Sequence, residues 1–327
     1  YKLNTGEKSV VARGFTGLLY YTALSDDGSI LATGDWRERI NLWDVNSGDL
    51  IQMIEYPGES SPRSMSISPN NKILATYGYS DTLDFWDIRS GELISNKSIL
   101  PAYSFLFFSN VDENRFYAVV SNQIIVGNVF SDETKTIFKN GSFTIPEEER
   151  DLYRLDDRKF VFSSAPSYDG KNTILKILSI AEAEVLDITI PAKEVYAGMI
   201  SRDNKVMVFP YSNGREYESG FIVFDLENLT EVSNFYRGRS VNSLSIAPNN
   251  QWIAVGSNYV DPFYFGPEYG HKTTTIYDLK TGQKLASFGV VENKWKDVRG
   301  VFFTPDGQDL LVVSGTIDFW DVDALIR

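Results

Sequence analysis

The chain of 327 residues has no cysteine, a single histidine (His271) and no apolar run that approaches the ~18 residues of a membrane-spanning helix. The missing cysteines exclude disulfides, thiolate metal sites and cysteine nucleophiles together, and they fit an exported bacterial protein better than a cytosolic eukaryotic one. One imidazole cannot build the histidine-rich copper or zinc sites of metalloproteins, and His271 reads as structural. Basic residues are also short: 31 Lys and Arg stand against 44 Asp and Glu, a formal net charge of −13. Generic binding to nucleic acid or to anionic membranes needs a basic face and is disfavoured. Arg237-Gly238-Arg239 and Lys294-Trp295-Lys296 are local exceptions, read first as solvated loop charge and second as phosphate-recognition sites. Phosphate-cradling glycine loops of the GxxxxGK[ST] or strand-linked GxGxxG type are missing, as are helix-period stretches of useful length.

What is present repeats. Leu42-Trp43-Asp44-Val45, Phe85-Trp86-Asp87-Ile88 and Phe319-Trp320-Asp321-Val322 restate one pattern, and the longer unit around it recurs in the same order. A turn such as Ser25-Asp26-Asp27-Gly28 or Ser68-Pro69-Asn70-Asn71 precedes an apolar run, Ile30-Leu31-Ala32-Thr33 or Ile73-Leu74-Ala75-Thr76. The Trp-Asp run follows, then a second turn containing Gly48 or Gly91 and a final alternating segment. Each unit reads as four short strands between turns. Weaker copies of the anchor lie at Gly127-Asn128, Leu178-Ser179, Phe224-Asp225 and Tyr277-Asp278, spaced about 41–53 residues apart, against the ~40–45 of a propeller blade.

On these motifs the chain resembles the WD40 β-propeller family over its whole length, strongly in units one, two, six and seven and weakly in units three to five. The resemblance implies an all-β, seven-bladed WD40-like β-propeller. The family often links a His, a Ser or Thr, an Asp and the Trp by hydrogen bonds within a blade. With His271 alone, most blades here are expected to hold by packing. Tyr1-Lys2-Leu3-Asn4-Thr5-Gly6-Glu7-Lys8 copies Tyr277-Asp278-Leu279-Lys280-Thr281-Gly282-Gln283-Lys284, a third-to-fourth-strand turn, whereas the last unit stops after its third strand. The N-terminal segment is therefore expected to supply the outer strand of the last blade and close the ring. A single domain over 1–327 is expected, with blades at about 14–58, 59–101, 102–141, 142–193, 194–239, 240–292 and 293–327 plus 1–13. Tyr1 enters in mid-repeat, as expected of a chain trimmed or relieved of a leader.

Function is expected where the chain departs from its own repeat. The connections between second and third strands are irregular: residues 34–38, 164–170, 210–220 and, longest, 257–272. Residues 258–271 carry five aromatics among prolines and glycines. Large rings on loops bury much area for little lost rotamer freedom, so they make good anchors. Tyr259, Tyr264 and Tyr269 are the candidates there, with Phe263 and Phe265 read as blade caps; Tyr211, Arg215 and Tyr217 come from the neighbouring blade, and Trp36 and Trp295 from connections further along. Glu147-Glu148-Glu149 reads as a solvated loop, because the alternating spacing of a calcium loop is missing. No residue is assigned to catalysis, to a cofactor or to a metal ion. The expected function is a non-catalytic interaction scaffold for a protein or peptide, as a monomer or part of a larger complex. The alternative is an exported lactonase-like or periplasmic propeller that acts through carboxylates at its central channel.

Overall fold

Runs of β-branched and aromatic residues between turn formers become strands, and the turns are short enough that successive strands pair as antiparallel hairpins. The computed structural model describes residues 7–12, 19–35, 38–56, 62, 64–78, 82–98, 104–120, 123–139, 141–145, 159–166, 172–190, 194–195, 198–212, 219–236, 241–257, 272–291, 298–314 and 316–326. Within them the strands form seven sheets. The first runs Leu19–Leu24, Ile30–Asp35, Arg39–Asp44, Leu50–Glu55, and the second Ser64–Ile67, Ile73–Tyr77, Thr82–Asp87, Leu93–Ser98. The third adds a short fifth strand, Ser142–Phe143, to Ser104–Phe108, Arg115–Val120, Gln123–Asn128 and Thr134–Lys139. The fourth has three strands, Lys159–Pro166, Thr173–Ser179 and Glu184–Ile190.

In the fifth sheet the first position is split, Glu194–Val195 and Met199–Ile200 both pairing with Val206–Ser212, which is followed by Ser219–Asp225 and Thr230–Tyr236. The sixth is regular: Val241–Ile246, Trp252–Ser257, Lys272–Asp278, Lys284–Val291. The last runs Gly300–Phe303, Asp309–Val313, Ile317–Asp321, with the N-terminal strand Glu7–Ala12 at its outer edge. Six sheets thus carry four or five strands, so the expectation of seven equivalent four-stranded blades is corrected to six complete ones and a three-stranded fourth sheet. The residues before that sheet, 147–158, lie outside the described ones, and its repeat is among the weak copies in the sequence, with Leu178-Ser179 in place of Trp-Asp.

The sheets divide between two compact units. Residues 11–157 and 180–184 hold the first three; residues 1–10, 158–179 and 185–327 hold the others. In each unit neighbouring sheets pack face to face, so central strands are apolar on both faces: every residue of Ile73–Tyr77 is buried, whereas in the outer strand Leu50–Glu55 only Ile54 is. Small residues recur on the second strand and let the next sheet approach: Ala32, Ala75, Ala118 and Ala254 are all fully buried. Phe85 fills the space between the second and third sheets, with its ring 4.9 Å from Phe116 and 6.3 Å from Phe108. Val208, Phe221 and Val223 of the fifth sheet meet Leu244, Ile253, Val255 and Tyr277 of the sixth in the same manner.

Polar groups do more than the expectation of packing alone allowed. In the first sheet the Trp43 indole donates to Thr33 Oγ1 at 3.0 Å, and in the second the Trp86 indole donates to Thr76 Oγ1 at 3.0 Å. The Asp of the Trp-Asp pair closes the following turn: Asp44 Oδ1 accepts the amides of Asn46 and Ser47, Asp87 those of Arg89 and Ser90, and Asp225 those of Glu227 and Asn228. Asn128 Oδ1 takes the amide of Phe130 likewise, so the degenerate third anchor keeps this half of its chemistry. In the last sheet Asp321 Oδ1 instead accepts from Ala324 N at 3.0 Å and caps the helix Val322–Ile326, which stands where other units begin a fourth strand.

Candidate functional site

Second and third strands of the fifth sheet pair up to Ser212↔Ser219, and those of the sixth up to Gly256↔Thr274. Antiparallel pairing means that residues 213–218 and 258–271, which join these strands, leave their sheets at the same end. The two sheets are neighbours, joined by apolar packing, by the Ser233 hydroxyl donating to the Leu279 carbonyl at 2.6 Å, and by Asn250 Nδ2 donating to Asp203 Oδ2 at 2.8 Å. The ends of the fifth and sixth sheets to which these connections attach are therefore the corresponding ends of adjoining hairpins.

Tyr211 stands at the base of this end. It sits opposite Gly220 on the neighbouring strand, half-buried, and its hydroxyl donates to Asn234 Oδ1 at 3.0 Å on the outer strand. The glycine is required there, because a Cβ on residue 220 would lie 2.8 Å from the Tyr211 ring and 2.6 Å from the Phe235 carbonyl. Tyr211 is thus held as a fixed post at the foot of residues 213–218. The other candidates, Trp36, Arg215, Tyr217, Tyr259, Tyr264, Tyr269 and Trp295, lie outside the described residues, as do His271, Glu147-Glu148-Glu149, Arg237-Gly238-Arg239 and Lys294-Trp295-Lys296.

Sequence reading missed the ion pair that braces the equivalent end of the first sheet. Arg39 Nη2 lies 2.8 Å from Asp35 Oδ2, its amide donates to Asp35 Oδ1 at 3.3 Å, and the Asp35 side chain is buried. This closes residues 35–39, and Glu38 takes a left-handed φ of 63° within the turn. The signal was an Asp and an Arg four residues apart, which reads as surface charge until the burial of the Asp is known. Asp84, at the corresponding end of the second sheet, is buried too; desolvation raises its pKa, and a hydrogen bond from the Thr82 side chain draws it back in part.

The opposite ends of the sheets carry acceptors rather than chemistry. Asp27 is pushed up by burial, but the Ser29 amide, the hydroxyls of Ser25 and Ser29 and the Asn71 amide group outweigh that and hold it at about 2. Burial likewise acts against Asp203, and its bonds from Ser201, Asn250 and the Lys205 amide, with the Lys205 charge, prevail and lower its pKa. Asp27–Asn71 and Asp203–Asn250 are the same link between turns of neighbouring sheets, seen once in each compact unit. Among the described residues no group of three or more His, Cys, Asp or Glu side chains is placed to hold a metal ion.

Residues 230–259, from the outer strand of the fifth sheet through the second strand of the sixth, match the WD40 family, described as WD domain, G-beta repeat. Among solved structures, hydrazine synthase of Kuenenia stuttgartiensis superposes with a TM-score of 0.69 at 12% identity, covering 95% of this chain and 97% of that one. The β-propeller domain of Cps50 (Swd1) from Myceliophteria thermophila does so with a TM-score of 0.65 at 13% identity, covering 94% and 97%. The chain has a β-propeller fold, and residues 230–259 carry a WD40 repeat. At such identities the two likenesses speak for the fold alone. Two curated sequences also match the propeller, the phenylalanine–tRNA ligase beta subunits of Borreliella burgdorferi strains ZS7 and ATCC 35210 / DSM 4680 / CIP 102532 / B31. Each is 29% identical over 133 residues, 39% of the propeller chain and 22% of the ligase subunit, so the matched stretch spans about a fifth of those relatives. No helix among the described residues is long and apolar enough to cross a membrane.

Proposed function

We propose that this propeller is a non-catalytic scaffold that grips a protein or peptide at the loop-bearing end of its fifth and sixth sheets, with Tyr211, Arg215, Tyr217, Tyr259, Tyr264 and Tyr269 as anchors and Trp36 and Trp295 contributing from other connections. The observation that supports it is one of placement: residues 213–218, which include Arg215 and Tyr217, and residues 258–271, with five aromatics, join strands at the same end of two adjoining hairpins, with Tyr211 fixed at the foot of one. A repeat that only had to fold would keep these connections as short as the turns at the other end, where Gly48, Gly91 and Gly282 stand in equivalent tight turns. The scaffold acts as one domain, its ring closed through Glu7–Ala12.

The test is affinity isolation from the source cell with wild-type protein and with Tyr264→Ala/Tyr269→Ala, alongside thermal melting of both. Each true anchor is worth on the order of 1–3 kcal/mol of binding, so the double variant should lose its specific partners while melting unchanged. Equal recovery by both proteins assigns these tyrosines to loop packing and moves the binding surface elsewhere.

A further inference from the structure

The outer strands of the first two sheets and the turn beside them in the third expose large apolar side chains in sequence: Leu50 at 48%, Met53 at 42%, Leu93 at 44% and Phe130 at 65% relative exposure. Direct contacts join the segments that carry these residues. Gln52 Nε2, between Leu50 and Met53, donates to the Ser90 carbonyl at 3.1 Å and lies so close over Gly91 that a Cβ there would collide with it. That presses the first outer strand against the turn leading into Leu93. One sheet further on, the Ser95 hydroxyl donates to the Val129 carbonyl at 2.6 Å, and Lys97 reaches Asp132 at 3.4 Å, which presses the second outer strand against the turn that carries Phe130. The fifth and sixth sheets repeat the contact through Ser233 and Leu279, but there the next turn offers Lys280 and Thr281 instead of an aromatic ring.

The charge along this stripe has one dominant sign. Asp49, Glu55, Glu92, Asp132 and Glu133 are exposed beside it, against Arg89 and Lys135; Lys97 is buried and already engaged with Asp132. A second copy of this chain, net charge −13, would bring like charge to like, and an anionic membrane would do the same. The stripe runs across sheets rather than along one strand, so a strand added to an edge would follow the wrong direction. Stacked sheets lie ~10 Å apart, and a helix advances ~1.5 Å per residue, so residues about seven apart on one helical face meet successive sheets.

We infer that this rim is a second docking surface of the scaffold, and that its occupant is an amphipathic helix of a partner protein with apolar residues at i, i+7 and i+14 flanked by Lys and Arg. The apolar positions rest on Leu50 and Met53, on Leu93 and on Phe130, and the basic flanks face Asp49, Glu55, Glu92 and Glu133. It lies in the compact unit formed by the first three sheets, so it stands independently of the tyrosine-bearing segments of the fifth and sixth.

The experiment measures binding of two synthetic 20-residue helical peptides by fluorescence anisotropy, with Leu at the three spaced positions and either Lys or Glu at the flanks. The expected result is saturable binding of the Lys-flanked peptide that weakens with added salt, at least a tenfold loss with Met53→Asp/Phe130→Asp, and unchanged affinity with Tyr264→Ala/Tyr269→Ala. Melting of each variant identifies loss through misfolding, and the exposed pair Leu93→Gln/Phe130→Ser then serves as the second variant. Failure of the wild-type protein to bind, equal binding of both peptides, or equal binding by the folded rim variants overturns the proposal. So does sedimentation that shows a wild-type dimer abolished by the rim substitutions, or cosedimentation with phosphatidylserine vesicles that the same substitutions remove.

Discussion

The second sheet and the last sheet carry the same Phe-Trp-Asp run in the same register, yet only one of them uses its indole N–H. Trp86 lies opposite Leu74, and two residues along that strand Thr76 accepts the indole proton at 3.0 Å and passes its own toward the Asp84 carbonyl at 3.4 Å. Trp320 lies opposite Leu310, and two residues along stands Val312; the indole nitrogen of Trp320 is buried with no acceptor among the described residues, and the ring settles for packing on Phe288 at 4.6 Å. The sheets differ at their outer edges as well: the second completes itself with Leu93–Ser98, whereas the last turns into the capped helix Val322–Ile326 and takes Glu7–Ala12 as its outer strand. The difference teaches that the repeated dipeptide does not carry its own stability. A hydroxyl two residues along the facing strand decides whether the tryptophan is a hydrogen-bonded strut or only a wedge.

The largest expected effect comes from the edge. Deleting residues 1–12 exposes Ile317–Asp321, and the melting temperature should fall by about 5 °C or more with a rise in light scattering; an unchanged midpoint would contradict closure through the N-terminal strand. Next, Thr76→Val makes the second sheet resemble the last by stranding a buried indole N–H, and urea unfolding should show a loss of about 1–3 kcal/mol. The reverse change, Val312→Thr, gives Trp320 its acceptor and a carbonyl at Asp318 to donate to, with an expected gain of about 0.5–1.5 kcal/mol. A gain in the last sheet without a loss in the second would break the comparison.

The smallest effect concerns acid. Asp27, Asp87, Asp203, Asp225 and Asp278 all have folded pKa values below the ordinary carboxylate value, because turn amides and hydroxyls, and in Asp27 and Asp203 a neighbouring Asn, bond their charged form. Their contribution is complete above the unfolded value near ~4 and is lost as pH falls through the folded values, toward about 2 for Asp27. Asp84 works in the opposite sense, since burial raises it. Unfolding midpoints measured from pH 5 to pH 2 should therefore drop, and Asp27→Asn should flatten that drop slightly; an unaltered slope would show that the link to Asn71 adds nothing.

The strands, their order and the repeat were legible because they rest on local periodicity: alternating apolar residues, turn formers at fixed places, and an anchor that returns every forty to fifty residues. Irregular sheets coincide with weak repeats, as the split first position before Val206–Ser212 and the three-stranded fourth sheet show. What sequence reading missed depends on partners far along the chain. Thr33 and Trp43 are joined by register, Asp27 and Asn71 by the stacking of two sheets, and neither link leaves a local pattern. Of the candidate anchors, Tyr211 was picked for its place in the irregular connection 210–220; the structure places it in the strand Val206–Ser212, where its bond to Asn234 fixes the ring at the strand's end.

Asn71 and Asn250 occupy the left-handed turn position that Gly28 and Gly307 hold elsewhere, with φ of 58° and 56° against 74° and 70°. Each uses its side-chain amide as the donor to a carboxylate of the preceding sheet. That chemistry has a lifetime. Hydrolysis of the amide, the slow deamidation that asparagine undergoes in any stored protein, replaces the donor with an anion facing Asp27 or Asp203, so an attraction between sheets becomes a repulsion. A single atom exchanged on either asparagine would thus be enough to loosen a joint where two sheets are tied together.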